Sequence, residues 1–204
     1  MSISYFSAKN RIFFSRLVGA LFFCALIVSL SAWRETEPFP WVVLSWMGWI
    51  FITVGAIGRI WCSSHIGGKK NVALVATGPY SVCRNPLYFF SFLAGIGGMF
   101  LTHTYLFPLL FAALFLSYYA KVIASEEEAL LTIHGADYRY YYAHVPRFWP
   151  KFGLLSEPMA KTVSATHFFR SFGEVTWFFV AGGLITFLEH LHLSGHLPTL
   201  FFIY

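Results

Sequence analysis

The sequence predicts an all-α, polytopic membrane protein of about five helical spans forming one domain over residues 1–204, on three observations. The 204-residue chain is 57% hydrophobic and only 11% charged, with 21% aromatic residues, and its mean hydropathy is +0.63. Apolar runs close to the ~20 residues that cross a bilayer core recur along it. Its Lys and Arg residues gather in alternate connecting segments. A soluble domain of ordinary composition is thereby excluded.

The first run is Leu17 to Trp33, preceded by Lys9, Arg11 and Arg16. It lacks a clear small-residue cleavage site, so it is expected to remain as a helix and not to be a signal peptide. The second is Trp41 to Trp61, with its single charge, Arg59, near one end and able to snorkel. The third and fourth, Leu87 to Leu101 and Tyr105 to Ala120, are separated only by Thr102 to Thr104, which makes them an antiparallel hairpin. The fifth lies between Glu174 and Glu189. Its apolar centre, Val175 to Leu188, is short, so an interfacial or re-entrant helix is the alternative to a span.

Short loops rich in Lys and Arg stay on the cytoplasmic side. With five spans, Lys9, Arg11, Arg16, Arg59, Lys69, Lys70, Arg84, Lys121, Arg139, Arg147, Lys151, Lys161 and Arg170 fall inside, and Arg34 falls outside. The expected setting is a bacterial inner membrane, with the N-terminus and the two polar segments cytoplasmic. The net charge of +5 follows from this bias and from anionic headgroups, and no nucleic-acid partner is implied. Cys24, Cys62 and Cys83 show no CxxC spacing, and neither a disulfide nor a metal site is assigned to them.

Polar chemistry collects in two segments, Ser63 to Pro86 and Ser125 to Lys151. Gly78-Pro79 reads as a turn. Asn85-Pro86 reads as a helix start, with Asn as N-cap and Pro at the first helical position. Its free N–H groups, with Arg84 beside them, favour an anion, while a topological, lipid-phosphate role for Arg84 is the competing reading. The fourth helix is expected to run through Glu126, Glu127 and Glu128 and stop at Gly135. Carboxylates so placed oppose the helix dipole at about 0.3–1 kcal/mol each, which a cation opposite them would offset. Glu128 reads as part of a solvated turn. Because both ends belong to one hairpin, positive and negative groups meet at the surface, an arrangement that suits a zwitterion; S-adenosylmethionine is one such molecule among many.

The blocks "GPYSVCRNPLY" and "EEEALLTIHGADYRYYYAHVPRFWP" closely resemble the integral-membrane methyltransferases of the isoprenylcysteine carboxyl methyltransferase family and its phospholipid methyltransferase relatives. The matching elements are Gly78-Pro79-Tyr80, Arg84-Asn85-Pro86, Tyr88, Glu126-Glu127, Leu130, Gly135, Asp137-Tyr138, Tyr141, Val145, Arg147 and Pro150, over roughly residues 45–152. Residues 153–204 form an extension with a further membrane helix. The chain departs from the family pattern at Asn85, where a histidine is commonest, and at His134, where Phe often stands. Asn can cap and hydrogen-bond but cannot titrate near neutral pH, so a histidine base is not expected there.

The resemblance implies S-adenosylmethionine as cofactor, bound at the cytoplasmic end without a separate soluble domain, and a lipophilic methyl acceptor arriving from the bilayer. It implies cofactor contacts from Tyr80, Arg84, Asn85, Pro86, Tyr88, Glu126, Glu127, Tyr138 and Tyr141, and roles in the reaction for Arg84, Asn85, Glu127 and Arg147. The acceptor stays open between a carboxylate, as in isoprenylcysteine O-methylation, and the amine or thiol of a phospholipid or small molecule. Gly95 and Gly97 serve either close helix packing or approach of a ligand to backbone. Two readings of other classes are a metal- or haem-binding protein using His190, His192 and His196, and a non-catalytic lipid-binding relative.

Overall fold

The computed structural model describes residues 17, 19–32, 38–68, 73–157 and 164–203. Among the described residues the chain is all-α apart from two three-residue strands. Helix α1 (Gly19–Val28) leads into β1 (Ser29–Ser31), followed by α2 (Pro38–Ile66), a single turn at Pro79–Val82, α3 (Pro86–Phe100) and α4 (Leu106–His144). A 3₁₀ turn at Phe152–Leu154, α5 (Ala165–Leu193) and β2 (Phe201–Ile203) complete the fold. Three of these helices, α2, α4 and α5, are long and apolar enough to cross a membrane. With the shorter apolar helices α1 and α3, they make a polytopic helical membrane protein.

Several expectations shift at the helix ends. The first apolar run leaves the helix at Val28, because Ser29–Ser31 pair in parallel with Phe201–Ile203, Ser29 opposite Phe201. The fifth helix is 29 residues long, far beyond its apolar centre, because the polar ends Ala165–Glu174 and Glu189–Leu193 are also helical. Gly135 does not stop the fourth helix. Its φ of 51° and ψ of −114° kink the chain, which resumes as helix to His144. Glu126, Glu127 and Glu128 therefore sit mid-helix, and the dipole penalty expected of a C-terminus does not fall on them. Lys9, Arg11, Arg16, Arg34, Lys69, Lys70 and Lys161, which carry much of the orientation argument, lie outside the described residues.

The architecture centres on α3. At 15 residues it is only ~22 Å long, short of the ~30 Å hydrocarbon core. It packs most extensively on α2, and α4 and α5 also touch it. Backbone-to-backbone contact makes the α2–α3 seam close: a Cβ on Gly97 would lie 2.7 Å from the Gly48 carbonyl oxygen and 2.8 Å from the Ile52 nitrogen. On Gly55 a Cβ would lie 2.7 Å from the Phe90 carbonyl oxygen. Gly97 thus serves helix packing, whereas Gly95 faces the Phe111 ring on the other side of α3.

At one end of the bundle the α3–α4 turn is buried and pinned. His103, at φ 55° and 1% exposed, stacks on Trp41 and bonds Ser45 Oγ at 2.7 Å through Nε2. The Ser31 hydroxyl donates to the His103 carbonyl at 2.7 Å, tying the strand pair to the turn. Trp41 Nε1 donates to Glu189 at 2.9 Å, anchoring α5 to α2. The opposite end, where α2 and α4 finish and α3 and α5 begin, holds Arg84, Arg139, Arg147, Lys151 and Arg170.

The seam yields a direct test. Gly97→Val should lower thermal stability in detergent by about 1–3 kcal/mol or more through overpacking. Gly183→Ala, whose added Cβ meets nothing within 4 Å, should leave the unfolding midpoint unchanged or slightly raised.

Candidate functional site

The site is built around one carboxylate. Glu127, on α4 and buried, receives Arg84 Nε at 2.9 Å and Asn85 Nδ2 at 3.1 Å on Oε1. Its Oε2 lies 3.1 Å from Arg147 Nε. Asn85 Nδ2 also donates to the Arg147 carbonyl at 3.0 Å, so both amide hydrogens are engaged. A neutral imidazole has one N–H and could not make both bonds, which is a physical reason for asparagine at this position.

Asn85 does occupy the N-cap position of α3, and Pro86 begins the helix. Its side chain, however, makes no capping bond, because Glu127 and the Arg147 carbonyl take it. The expected cap is realised by backbone alone, with Tyr88 and Phe89 N–H donating to the Asn85 carbonyl at 3.2 Å each.

Arg84 is engaged through Nε, Nη1, its backbone N–H and its guanidinium face. Nη1 donates to the Tyr142 and Val145 carbonyls at 2.6 and 2.8 Å, and the guanidinium lies 3.9 Å over the Tyr142 ring. Its backbone N–H donates to the Pro146 carbonyl at 2.8 Å. Arg147, by contrast, is 44% exposed and donates to the Ala120 carbonyl at 3.3 Å. Two guanidiniums facing one carboxylate leave a unit of positive charge, and Arg147 is the accessible cation of the pair. Next to this, Tyr88 Oη donates to Glu126 at 2.9 Å, and the Tyr88 ring meets Tyr119 at 5.2 Å. Glu128 is exposed, as a solvated residue should be.

A second layer supports the first. Tyr141 Oη donates to the Tyr80 carbonyl at 2.6 Å, and the buried Tyr138 packs 5.8 Å from Tyr141. Tyr80 Oη is buried and, among the described residues, has no hydrogen-bond partner. Glycine is required at Gly78, because its φ is 60° and a Cβ there would strike the His65 ring at 2.1 Å. His65 Nε2 lies 2.9 Å from Glu157, which also accepts from Trp61 Nε1 at 3.1 Å. Gly78 N–H donates to the Ser156 carbonyl at 2.7 Å, so the segment after the 3₁₀ turn closes over the GPY block.

Every site residue expected from the sequence lies in this one region. Tyr142, Tyr119, His65, Ser156 and Glu157 were missed. The stacking of Arg84 on Tyr142 could have been suspected from the tyrosine run, but the others depend on chain segments meeting in space. The C-terminal histidines do other work: His192 is buried, with Nε2 3.1 Å from the Leu26 carbonyl and Nδ1 3.2 Å from Thr199 Oγ1. His196 Nδ1 bonds Ser194 Oγ at 2.8 Å. No group of three or more His, Cys, Asp or Glu among the described residues is placed to hold a metal ion.

Beside the cluster, an apolar cavity of about 490 Å³ opens between α1, α3, α4 and α5, lined by Ser91, Gly95, Phe111, Phe115, Tyr119 and Ile185 among others. Its size falls within the ~300–1,000 Å³ of small-ligand sites. Tyr119 belongs both to its wall and to the ring pair with Tyr88. The polar cluster and the cavity are therefore adjoining.

Residues 15–137 match the phospholipid methyltransferase family. The nickel-cobalt-cadmium resistance protein NccN of Alcaligenes xylosoxydans xylosoxydans is 31% identical over 199 residues, 95% of this chain and 90% of the relative. The cobalt-zinc-cadmium resistance protein CzcN of Cupriavidus metallidurans is 28% identical over 194 residues, 95% of this chain and 88% of the relative. These alignments extend beyond the family match into α5. No solved structure matches.

Two outcomes follow from the geometry. Glu127→Ala leaves the buried Arg84 unpaired and should destabilise the protein by about 3–5 kcal/mol, while Arg147→Ala, at an exposed group, should cost under ~1 kcal/mol in the same detergent unfolding assay. Burial pushes the Cys83 thiol up from 9.0 to about 12, against smaller opposing effects of the Asn85 backbone and Arg84. The folded chain then holds this proton where the unfolded chain releases it, so stability should fall as pH rises from 9.0 toward about 12. Iodoacetamide at mildly alkaline pH should spare the buried Cys83 in the folded protein and label it once the protein unfolds, as read by peptide mass spectrometry.

Proposed function

Since the chain belongs to the phospholipid methyltransferase family, we propose that it is an S-adenosylmethionine-dependent methyltransferase acting at the membrane on a lipophilic acceptor. The observation that carries this reading is the junction of a charged cluster, Arg147 and Glu127 with Tyr88 and Glu126, and an apolar cavity, shared at Tyr119. When bound, the cofactor supplies an electrophilic methyl group on a sulfonium. The donor set suits it in charge: the accessible Arg147 offers a charge-assisted partner for a carboxylate, and Glu126 offers negative charge toward a cation.

In this reading the buried residues position and the accessible ones bind. Glu127, held by three donors, fixes Arg84, Asn85 and Arg147 relative to one another and so presets the site before any ligand arrives. Tyr88 orients Glu126 through its hydroxyl. Tyr80, Tyr138 and Tyr141 form the wall behind them, and Pro86 sets the start of α3. The apolar cavity excludes water from the acceptor's side, which strengthens the charged contacts. A carboxylate acceptor is already nucleophilic and needs no base from the protein. For an amine acceptor, Glu126 is placed to accept the proton, with Tyr88 steadying it.

The polar cluster would face the cytoplasm, where Lys and Arg accumulate, and the C-terminus would lie outside. The relatives' names make divalent-metal tolerance the setting in which to look for a phenotype.

Membranes containing the protein, given methyl-labelled S-adenosylmethionine, should incorporate label into a solvent-extractable lipid; absence of any labelled lipid, with cofactor binding intact, sinks the acceptor assignment. Arg147→Ala should weaken cofactor binding by about tenfold or more in isothermal titration, the size of one charge-assisted contact. Unchanged affinity would remove Arg147 from the binding set. Alkaline phosphatase fused after Tyr204 should be active in intact cells, and an inactive fusion reverses the orientation.

A further inference from the structure

Behind the wall of the cavity, at its polar end, stands a charge that the cluster around Glu127 does not account for. Ser91 and Tyr119 are the lining residues with polar side-chain atoms. Both stand at the end of the cavity nearer the cluster, because α3 and α4 run in opposite directions. Behind Ser91, on α2, lies Arg59. Its Nη1 donates to Ser91 Oγ, and its guanidinium carbon is 5.8 Å from the ring of Phe178, another cavity residue.

Arg59 is 20% exposed, and its Nη2 donates to Glu174 of α5 at 3.0 Å. Glu174 is shared, since Arg170 Nε lies 3.4 Å from its other oxygen. Two guanidiniums on one carboxylate leave an excess positive charge. Arg59 Nε is also buried with no hydrogen-bond partner among the described residues. An arginine in a membrane helix with an unused donor is expensive, so a further acceptor beside Arg59 is favoured, and the excess positive charge favours an anionic one.

We propose that Arg59 binds the anionic group, carboxylate or phosphate, of a single-chain amphiphile whose hydrocarbon chain occupies the cavity. Along α3 the lined stretch from Ser91 to Met99 is ~12 Å, a length that one extended hydrocarbon chain fills. The anionic group would then sit at the Ser91 end, one helical turn from Tyr88, with the methyl-accepting group toward Glu126. The assignment of that accepting group rests on the methyltransferase reading; the binding site does not. Arg59 is in this scheme a specificity-determining residue, selecting acceptors that carry negative charge.

Binding of cis-parinaric acid and of its uncharged methyl ester to the purified full-length protein, read by energy transfer from tryptophan at alkaline pH, tests this without cofactor. The wild type should bind the acid about tenfold more tightly than the ester or better. Arg59→Gln should abolish that preference while keeping the ester's affinity. Glu174→Gln, which removes the carboxylate and keeps the guanidinium, should retain or increase it. Lysophosphatidate should displace the acid from the wild type at about tenfold lower concentration than the neutral monoacylglycerol does, and Arg59→Gln should remove that difference.

Equal affinities for acid and ester in the wild type overturn the proposal. So does a parallel loss of both ligands in Arg59→Gln and Glu174→Gln, the signature of a helix tie alone. Equal displacement by lysophosphatidate and monoacylglycerol overturns it too. A failure of methyl transfer shows in the labelled-cofactor assay and leaves these binding results standing.

Discussion

The Glu127 carboxylate is the constraint on which the site depends. It lies on α4, and what it holds comes from two other places in the chain: Arg84 and Asn85 just before α3, and Arg147 beyond the end of α4. Without it, a guanidinium that is 6% exposed would be left in a poorly solvated environment. With it, the loop before α3 and the segment after α4 are locked to one point of the hairpin. The Arg84 contacts to the Tyr142, Val145 and Pro146 carbonyls then fix how the chain leaves the kinked helix.

That lock matters because α3 is short. A helix of 15 residues cannot match a bilayer core unaided. Here it is sheltered by longer helices and finished at both ends by structured, buried turns, Gly78–Cys83 at one and Leu101–Thr104 at the other. Glycines bring α2 and α3 into backbone contact on one side. On the other side, Gly95 with Phe111 and Phe115 leaves the cavity. One short helix thus supports a tight seam and an open lipophilic space, with the polar cluster at its N-terminal end.

Charge is distributed by the same device twice. Glu127 is shared by Arg84 and Arg147, and Glu174 by Arg59 and Arg170. Each arrangement keeps two cations near the membrane with less than full neutralisation, which holds the helices together and leaves attraction for an anion. In both, one arginine is much less exposed than the other. Arg84 and Arg59 are built into helix contacts, while Arg147 and Arg170 reach solvent.

The sequence by itself determined the helical membrane class, the hairpin at Thr102 to Thr104 and the start of α3 at Pro86, and its paired motif blocks, through the family resemblance, named part of the set of residues that come together around Glu127. These follow from local information: apolar run length, turn chemistry and paired motif blocks. Tertiary structure alone decided who binds whom. Asn85 reads as a capping side chain until Glu127 competes for its amide. Gly135 reads as a stop until the following tyrosines pack back on Arg84 and Tyr80, making it a kink. Arg59 reads as a snorkelling charge until Ser91 and Glu174 arrive from other helices. In each case a polar group must find a partner in a low-dielectric surrounding, and that partner comes from a distant part of the chain that periodicity and spacing do not encode.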